Sequence, residues 1–341
     1  MSATARNDLR LVGEEPVRRL TLVQAVVDAL ATEMRRDPTV LVMGEDVGRN
    51  GGVFRATEGL LEEFGPDRVM DTPLAESAIV GTAIGLAMTG WRPVAEIQFM
   101  GFVYPAVNQL LAHAARMRHR TRGRFHVPLV VRMPYGGGIH APEHHSESYE
   151  ALFVHTPGIK VVVPSTPHDA KGLLISAIRD PDPVLFMEPK RIYRAFRGEV
   201  PAGEFTVPLG KARLVREGEH VTLIAWGAMV PVAEDAAGEL GREGVSCEVL
   251  DLRTLNPLDI EAIVGSVRKT GRAVVVHEAP RQAGLGAEIS ALVMERCLLD
   301  LEAPVARVAG FDTVMPLARM EKLYLPHRDR VVRAVRRTLE F

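Results

Sequence analysis

Four clusters of polar and glycine residues follow apolar segments and could carry chemistry. They are GEDVG at 44–48, DTPLAE at 71–76, EIQFMGF at 96–102 and GGGIHAPEHHSES at 136–148. Carboxylates and histidines can move protons, and glycine lets a ligand approach the backbone closely. Each cluster also has a structural interpretation. A lone carboxylate after a strand is more often a helix cap, and a glycine run is as often a flexible loop.

Glu76 is the most informative of the carboxylates. Its sequence neighbours are Leu74, Ala75, Ala78 and Ile79, so we expect it to enter a largely apolar environment. Burial disfavours the charged form of a carboxylate and raises its pKa. A glutamate that keeps or shares its proton can protonate a weakly basic ring nitrogen.

The histidines and cysteines limit the metal chemistry. His140, His144 and His145 lie within six residues, but their spacing matches no common zinc-ligand pattern. Cys247 and Cys297 are the only cysteines, which excludes a disulfide framework and a thiolate metal cage. Two isolated cysteines favour a reducing, cytoplasmic compartment.

Buried strands alternate with helices along the chain and must position these clusters. Thr21 begins the first helix, with Gln24 placed for a capping box. Alternation of this kind predicts an α/β fold with doubly wound, mostly parallel sheets, in which ligands bind beyond the carboxyl ends of the strands. The first half is predicted to contain strands at 39–43, 94–97, 129–131, 160–163 and 184–187, and helices from 21, from 78, at 105–117 and at 167–178.

Proline and glycine interrupt this alternation at residues 196–210, where we predict a linker. The predicted organisation is a flexible leader at 1–19, a first α/β domain at 20–195, the linker, and a smaller α/β domain at 211–341. The second domain is predicted to contain strands at 221–225, 247–250, 273–276 and 305–308, and helices at 232–242, 260–267 and 287–298.

Composition excludes several classes of protein. The 341 residues are 47% hydrophobic and 25% charged, which is typical of a globular protein and not of a disordered one. The net charge of −2 does not support a broad attraction to nucleic acid or anionic lipid. The apolar segment 78–88 is too short to span a bilayer, which takes about 20 residues. Residues 1–19 lack the apolar core of a secretory signal.

Long motifs identify a family. From about Leu20 to Phe341 the chain resembles the beta subunits of the thiamine-diphosphate-dependent decarboxylase component of 2-oxo-acid dehydrogenase complexes. The resemblance implies a transketolase-like pyrimidine-binding domain followed by a transketolase C-terminal-like domain. The motifs are GEDVG (44–48), GGVFRATEGL (51–60), DTPLAESAIVG (71–81), RPVAEIQF (92–99), PSTPHDAKGLLISAIRD (164–180), EVLDLRT (248–254) and KTGRAVVVHEA (269–279).

The resemblance also implies roles for individual residues. Glu76 would hydrogen-bond the aminopyrimidine ring of thiamine diphosphate and promote the imino form that accepts a proton. His145 would assist proton transfers and the reductive acylation of a lipoyl group. The implied pyrimidine pocket contains Glu45, Leu74, Ala75, Glu76, Gln98 and Phe102, and the implied substrate side contains Phe99, Met100, Gly101, Phe102 and His145.

The implied reaction is the oxidative decarboxylation of a small 2-oxo acid. Many branched-chain members have FADY where this chain has FMGF at 99–102, and HSQSPE where it has HSESYE at 145–150. FMGFVY, GGGIHAPEHHSES and PRQAGLG look more like the bacterial pyruvate dehydrogenase type, so pyruvate is favoured. A branched-chain 2-oxo acid remains the alternative, because one methylene group discriminates weakly.

Two functions of other classes are less favoured. A nicotinamide-dependent oxidoreductase would need G-x-G-x-x-G directly after a strand, and the sequence has none there. A non-catalytic scaffold would not need a pyrimidine pocket.

Partners follow from what the sequence lacks. It contains no GDG motif of the kind with which thiamine enzymes hold Mg²⁺ and the diphosphate. An alpha subunit is therefore expected to hold both, in an α2β2 heterotetramer. The resemblance further implies docking of the lipoyl acyltransferase core on the C-terminal domain, through the Phe341 carboxylate and Glu302. It also implies a potassium site at Val127, Leu129, Val130, Ala177, Asp180 and Asp182. A solvated turn at 180–182 is an equal alternative for the last two of these residues.

Overall fold

The computed structural model describes residues 16–341. Within that range the strands are β1 (Val17–Leu20), β2 (Val40–Gly44), β3 (Val69–Asp71), β4 (Arg92–Glu96), β5 (Val130–Tyr135), β6 (Lys160–Val162), β7 (Val184–Pro189), β8 (Gly198–Pro201), β9 (Arg213–Arg216), β10 (Val221–Ala225), β11 (Cys247–Asp251), β12 (Thr254–Asn256), β13 (Ala273–Pro280) and β14 (Ala306–Gly310). The α-helices are α1 (Leu22–Arg36), α2 (Leu60–Phe64), α3 (Glu76–Met88), α4 (Met117–Arg120), α5 (Glu150–Val154), α6 (Pro167–Arg179), α7 (Met229–Arg242), α8 (Ile260–Thr270), α9 (Leu285–Cys297), α10 (Ala318–Tyr324) and α11 (Arg328–Thr338).

Two mostly parallel sheets organise these elements. The larger has seven strands in the order β12-β6-β7-β5-β4-β2-β3, of which β12 runs antiparallel to its neighbour. The smaller has five in the order β14-β13-β10-β11-β9, with β9 antiparallel at its edge. Strands β2, β10 and β11 are buried along their whole length, as expected for strands covered on both faces. The predicted doubly wound α/β fold is confirmed.

Helix α1 shows how local sequence fixes an element. The Thr21 side chain accepts a hydrogen bond from the Gln24 backbone, and the Gln24 side chain accepts one from the Thr21 N–H at 3.0 Å. This is the predicted capping box, which satisfies two backbone donors at the start of the helix. The helix then buries Leu22, Val26 and Leu30 in a hydrophobic core shared with α6.

The ends of the first domain differ from the prediction. Strand β1 pairs antiparallel with β8, so residues 17–19 of the predicted flexible leader and 198–201 of the predicted linker are paired strands. Residues 1–15 of that leader lie outside the described part of the chain. Three of the four β1 residues are exposed. A short, exposed ribbon of this kind has no apolar alternation from which it could be predicted.

Two further segments depart from the sequence interpretation. Strand β12 leaves the second half of the chain and completes the larger sheet, where Thr254 pairs with Val162. The helix predicted at 105–117 is instead a series of 3₁₀ and π turns from Tyr104 to Arg116, followed by α4. Among residues 16–341 no helix combines the length and apolar character that crossing a membrane requires.

Candidate active site

The ends of neighbouring strands bring the 44–48 and 96–102 clusters together. Strands β2 and β4 pair in parallel with Gly44 opposite Glu96, so the residues that follow them share one edge of the sheet. There the Gln98 side chain donates hydrogen bonds to the Glu45 backbone oxygen at 3.4 Å and to Asp46 Oδ2 at 3.3 Å. Two residues predicted to bind the cofactor therefore lie side by side.

Glu76 is the first residue of α3, which begins just after β3. The expectation that its neighbours bury it is wrong for this chain. Leu74 is 79% exposed, Ala78 is exposed as well, and Glu76 itself is only half-buried. The sequence supplies apolar residues around Glu76, but the start of α3 leaves two of them on the surface.

The pKa of Glu45 is raised. Burial is the largest cause, and the negative charges of Glu76, Asp46 and Glu96 add to it. The contribution of Glu76 places it within electrostatic range of Glu45. The negative charge of Glu76 therefore acts on the Glu45 carboxylate, and like charges at this distance favour the protonated form of Glu45.

An aromatic cluster forms one wall of the site. The ring of Phe99 lies 5.5 Å from that of Phe102 and 4.5 Å from that of His145, measured between centroids. Phe102 in turn lies 5.0 Å from His145. Edge-to-face packing of this kind fixes the ring orientations. The structure thus joins the 96–102 and 136–148 clusters, which the sequence could only predict separately.

Met100 and Gly101 pack next to this aromatic cluster, against the segment that contains His144 and Tyr149. Met100 is buried, and its Sδ lies 3.1 Å from the backbone nitrogen of Tyr149, which donates to it. A Cβ at Gly101 would come within 1.9 Å of the His144 carbonyl oxygen. These two residues, predicted on the substrate side, pack against the loop that carries His145.

The surroundings of His145 favour its neutral form. Burial is the main reason that its pKa is lowered, and the charges of His144 and Lys190 lower it further, against an opposing effect of Glu143. Its Nδ1 is buried and has no hydrogen-bond partner among residues 16–341. A neutral imidazole with a free nitrogen can accept a proton.

Lys190 is a residue that the sequence analysis missed. It follows the last residue of β7, is 3% exposed, and has no hydrogen-bond partner for Nζ in the described chain. Burial lowers its pKa to about 7, although Glu278, Glu321 and Glu147 act in the opposite direction. Its place three residues after the predicted strand 184–187 was the available signal.

A buried ion cluster lies under the site. Arg132 on β5 donates to both carboxylate oxygens of Glu188 on β7, at 2.8 and 2.7 Å, and also pairs with Glu96 on β4. Tyr193 donates to the same Glu188 carboxylate. Burial acts to lower the pKa of Arg132, but Glu188 and Glu96 outweigh it and raise that pKa. The cluster ties three adjacent strands together beside this edge of the sheet.

The predicted potassium residues lie around the start of β5 and the turn between α6 and β7. Both carboxylates are already paired. Asp180 Oδ1 lies 2.7 Å from Lys160 Nζ, and Asp182 Oδ1 accepts from Arg118 Nε at 2.6 Å. Within residues 16–341 there is no cluster of three or more His, Cys, Asp or Glu side chains arranged to hold a metal ion.

The two residues predicted to dock the acyltransferase core lie on the surface of the second domain. Phe341 is 77% exposed. Glu302 forms an ion pair with Arg272 and has a side chain that is 58% exposed. Both are accessible in this chain.

Comparison with known proteins identifies the family. Residues 18–195 match the model of the transketolase pyrimidine-binding domain, and residues 210–331 match that of the transketolase C-terminal domain. The chain is 56% identical over 323 residues to the pyruvate dehydrogenase E1 component subunit beta of Bacillus subtilis, covering 95% of this chain and 99% of that protein. The corresponding subunits of Staphylococcus epidermidis and Staphylococcus aureus are 54% and 52% identical over the same shares.

A solved structure supports the fold. A split-gene transketolase, described as an inactive beta4 tetramer, aligns with a TM-score of 0.76 at 24% identity and covers 94% of this chain and 98% of that one. The predicted transketolase-like fold and the predicted family are confirmed. The chain belongs to the family of pyruvate dehydrogenase E1 component beta subunits, which are subunits of a thiamine-diphosphate-dependent enzyme.

Proposed function

We propose that this chain and an alpha subunit together form the active site that decarboxylates pyruvate and passes the acetyl group to a lipoyl group. One observation carries the proposal. In a chain of this family, the structure brings Glu45 and Gln98 into contact and packs Phe99, Phe102 and His145 together at the same sheet edge.

The residues at this edge fit the pyrimidine half of thiamine diphosphate. The Glu45 carbonyl and the Gln98 amide supply hydrogen-bonding groups, and Phe102 supplies an aromatic surface. Glu76 would bind a ring nitrogen of the pyrimidine and exchange a proton with it, with Leu74 and Ala75 bordering the ring. When bound, the cofactor supplies an electron sink for the loss of CO₂.

The diphosphate half fits this edge poorly. The pKa of Glu45 is raised by burial and by the neighbouring charges of Glu76, Asp46 and Glu96, so the local potential is negative. Two further phosphate charges would be repelled there. This supports the assignment of the diphosphate and Mg²⁺ to the alpha subunit, in an α2β2 assembly.

His145 is suited to the later transfer. Its neutral imidazole lies against Phe99 and Phe102, the residues proposed to border the substrate with Met100 and Gly101. A general base must be unprotonated to act, and it contributes most when its pKa lies near the working pH. We assign it the proton transfers that accompany acylation of the lipoyl group, whose acyltransferase core would dock near Phe341 and Glu302.

A potassium ion would have to rely on backbone oxygens. Lys160 and Arg118 already neutralise Asp180 and Asp182, which leaves the carbonyls of Val127, Leu129, Val130 and Ala177 as the uncharged donors. Potassium accepts such neutral oxygen ligands. Thermal unfolding in KCl and in choline chloride at equal ionic strength tests the site, since only a specific ion would raise the midpoint in KCl.

The function is tested with the chain co-purified with its alpha subunit. We expect thiamine-dependent turnover of pyruvate that exceeds turnover of 3-methyl-2-oxobutanoate. Faster turnover of the branched acid would assign the chain to branched-chain substrates. If the alpha subunit alone turned over pyruvate as fast as the complex does, this chain would be a non-catalytic scaffold.

A further inference from the structure

The loop that carries His145 is closed on itself at its base. It runs from Gly136, just after β5, to Ser148, and the Gly136 N–H donates to the Glu147 carbonyl oxygen at 2.9 Å. Its far side contains a 3₁₀ turn at Glu143–His145. The closing bond fixes the two ends of the loop, but it does not fix the glycine-rich segment 136–140.

Two carboxylates of the second domain hold that segment. Glu321 on α10 accepts from the Gly138 N–H at 2.6 Å and from the His140 N–H at 3.2 Å, and its Oε2 lies 2.8 Å from His140 Nδ1. Glu278 on β13 accepts from the Gly137 N–H at 2.5 Å. Hydrogen bonds from backbone N–H groups to carboxylates are among the stronger ones in proteins.

Both carboxylates are buried where they make these contacts. Glu278 is 4% and Glu321 is 2% exposed. Burying two charges is costly unless each is hydrogen-bonded or paired, and Lys190 and Arg191 lie within electrostatic range of Glu278. The second domain therefore buries two carboxylates whose hydrogen-bond partners are backbone amides of this loop, together with the His140 ring for Glu321.

The glycines fit closely against the carboxylates. A Cβ at Gly136 would meet Glu278 Oε1 at 2.8 Å, and one at Gly137 would meet Met315 Cε at 2.4 Å. Gly136 and Gly138 also have φ angles of +80° and +93°, which favour glycine. The loop and the carboxylates thus fit each other without space for side chains.

We propose that Glu321 and Glu278 are positioning residues, by which the C-terminal domain sets the place of His145 in the shared active site. The inference rests on the role proposed above for His145. Among residues 16–341, neither carboxylate hydrogen-bonds to a residue of the pyrimidine pocket. Their effect on the reaction passes through the loop backbone to the imidazole.

The test compares two rates in the complete complex with its alpha subunit. Decarboxylation is followed with an artificial electron acceptor, and acetylation of a free lipoyl domain is followed by mass. We expect Glu321→Gln to slow acetylation between about tenfold and about 100-fold, the cost of a misplaced catalytic group, with a smaller effect on decarboxylation. Glu295→Gln, an exposed glutamate of the same domain, is the matched control and should behave as the unmodified chain.

A double variant separates positioning from general damage. If Glu321 acts through His145, Glu321→Gln combined with His145→Ala should be no slower in acetylation than His145→Ala alone. Additive losses, or acetylation within twofold of the unmodified rate for Glu321→Gln, would overturn the proposal. Should Glu321→Gln fail to fold, Gly138→Ala disturbs the same contact from the loop side and should give the same pattern. A normal acetylation rate in His145→Ala would instead refute the function proposed for His145.

Discussion

Lys190 Nζ lies 5.5 Å from the ring centroid of Phe99, buried and without a hydrogen-bond partner among residues 16–341. The same ring packs edge-to-face against His145 at 4.5 Å. One phenyl ring therefore contacts both a buried ammonium and the proposed base. An ammonium over an aromatic face is attracted to it, and its charge also acts on the imidazole.

This arrangement predicts how Lys190→Met changes the pH dependence. The pKa of His145 is lowered first by burial and then by His144 and Lys190, so removing the Lys190 charge should raise it. Lys190 itself has a pKa of about 7 and is mostly charged on the acid side of that value, where His145 titrates. The acid limb of the pH profile for lipoyl acetylation should therefore move to higher pH.

The profile is measured as kcat/KM between about pH 5 and about pH 8, a range that spans histidine titration. Lys211→Met, which removes a lysine whose side chain is 57% exposed, serves as the control and should leave the limb in place. An acid limb that stays fixed or moves to lower pH in Lys190→Met would show that Lys190 does not act on His145.

Glu76→Gln should nearly abolish turnover in the complex with the alpha subunit. The variant keeps the size of the side chain but removes the group proposed to exchange a proton with the pyrimidine. General acid–base groups contribute about 10²- to about 10⁴-fold, and both decarboxylation and acetylation should fall because both depend on the first proton transfer. Glu62→Gln, in the exposed part of α2, is the control. Activity within a few-fold of normal would contradict the role of Glu76.

Local patterns predicted most of the fold. The capping box at Thr21 and the apolar runs of β2 and β10 are signals that lie within a few residues of each other. Placement of the 44–48 and 96–102 clusters at one sheet edge also followed, since parallel strands end together. The pairing of β1 with β8 and the pairing of β12 with β6 could not be predicted, because such short edge strands show no recognisable hydrophobic periodicity.

The parts of the site that escaped prediction depend on distant contacts. Glu321 reaches Gly138 across 183 positions of sequence, and Glu278 reaches Gly137 across 141. Nothing near Glu321 in the sequence indicates that it faces a catalytic loop. The prediction that apolar neighbours bury Glu76 was wrong for a related reason. The residues next to Glu76 in sequence do not indicate which side of the first turn of α3 faces the core.

The ion cluster under the site predicts a large loss of stability for Arg132→Met. The substitution would leave Glu96 and Glu188 buried without their cation, which typically costs about 3–5 kcal/mol of the free energy of unfolding. Arg35→Met removes an exposed ion pair with Glu63 and should cost no more than about 1 kcal/mol. Urea unfolding of the purified chains compares them, and similar losses for both variants would show that burial of the Arg132 cluster is unimportant.

Glu150 gives a prediction on the pH dependence of stability. It is 1% exposed, accepts from Trp226 Nε1 at 3.3 Å, and leaves its second oxygen without a partner in the described chain. Burial is the main cause that raises its pKa to about 7, whereas an unfolded glutamate has a pKa of about 4.3. Between these values the folded state binds more protons, so this residue lowers the free energy of unfolding as pH rises through that window.

Glu150→Gln removes this penalty while keeping an oxygen for Trp226. Its stability relative to the unmodified chain should therefore increase from pH 5 to pH 8, by an amount on the order of 2–3 kcal/mol given about 1.4 kcal/mol for each pKa unit. Urea unfolding at the two pH values measures the difference, with Glu219→Gln, an exposed glutamate, as the control that should show no such trend. If Glu150→Gln changed the free energy of unfolding by the same amount at both pH values, Glu150 would not have a raised pKa in the folded chain.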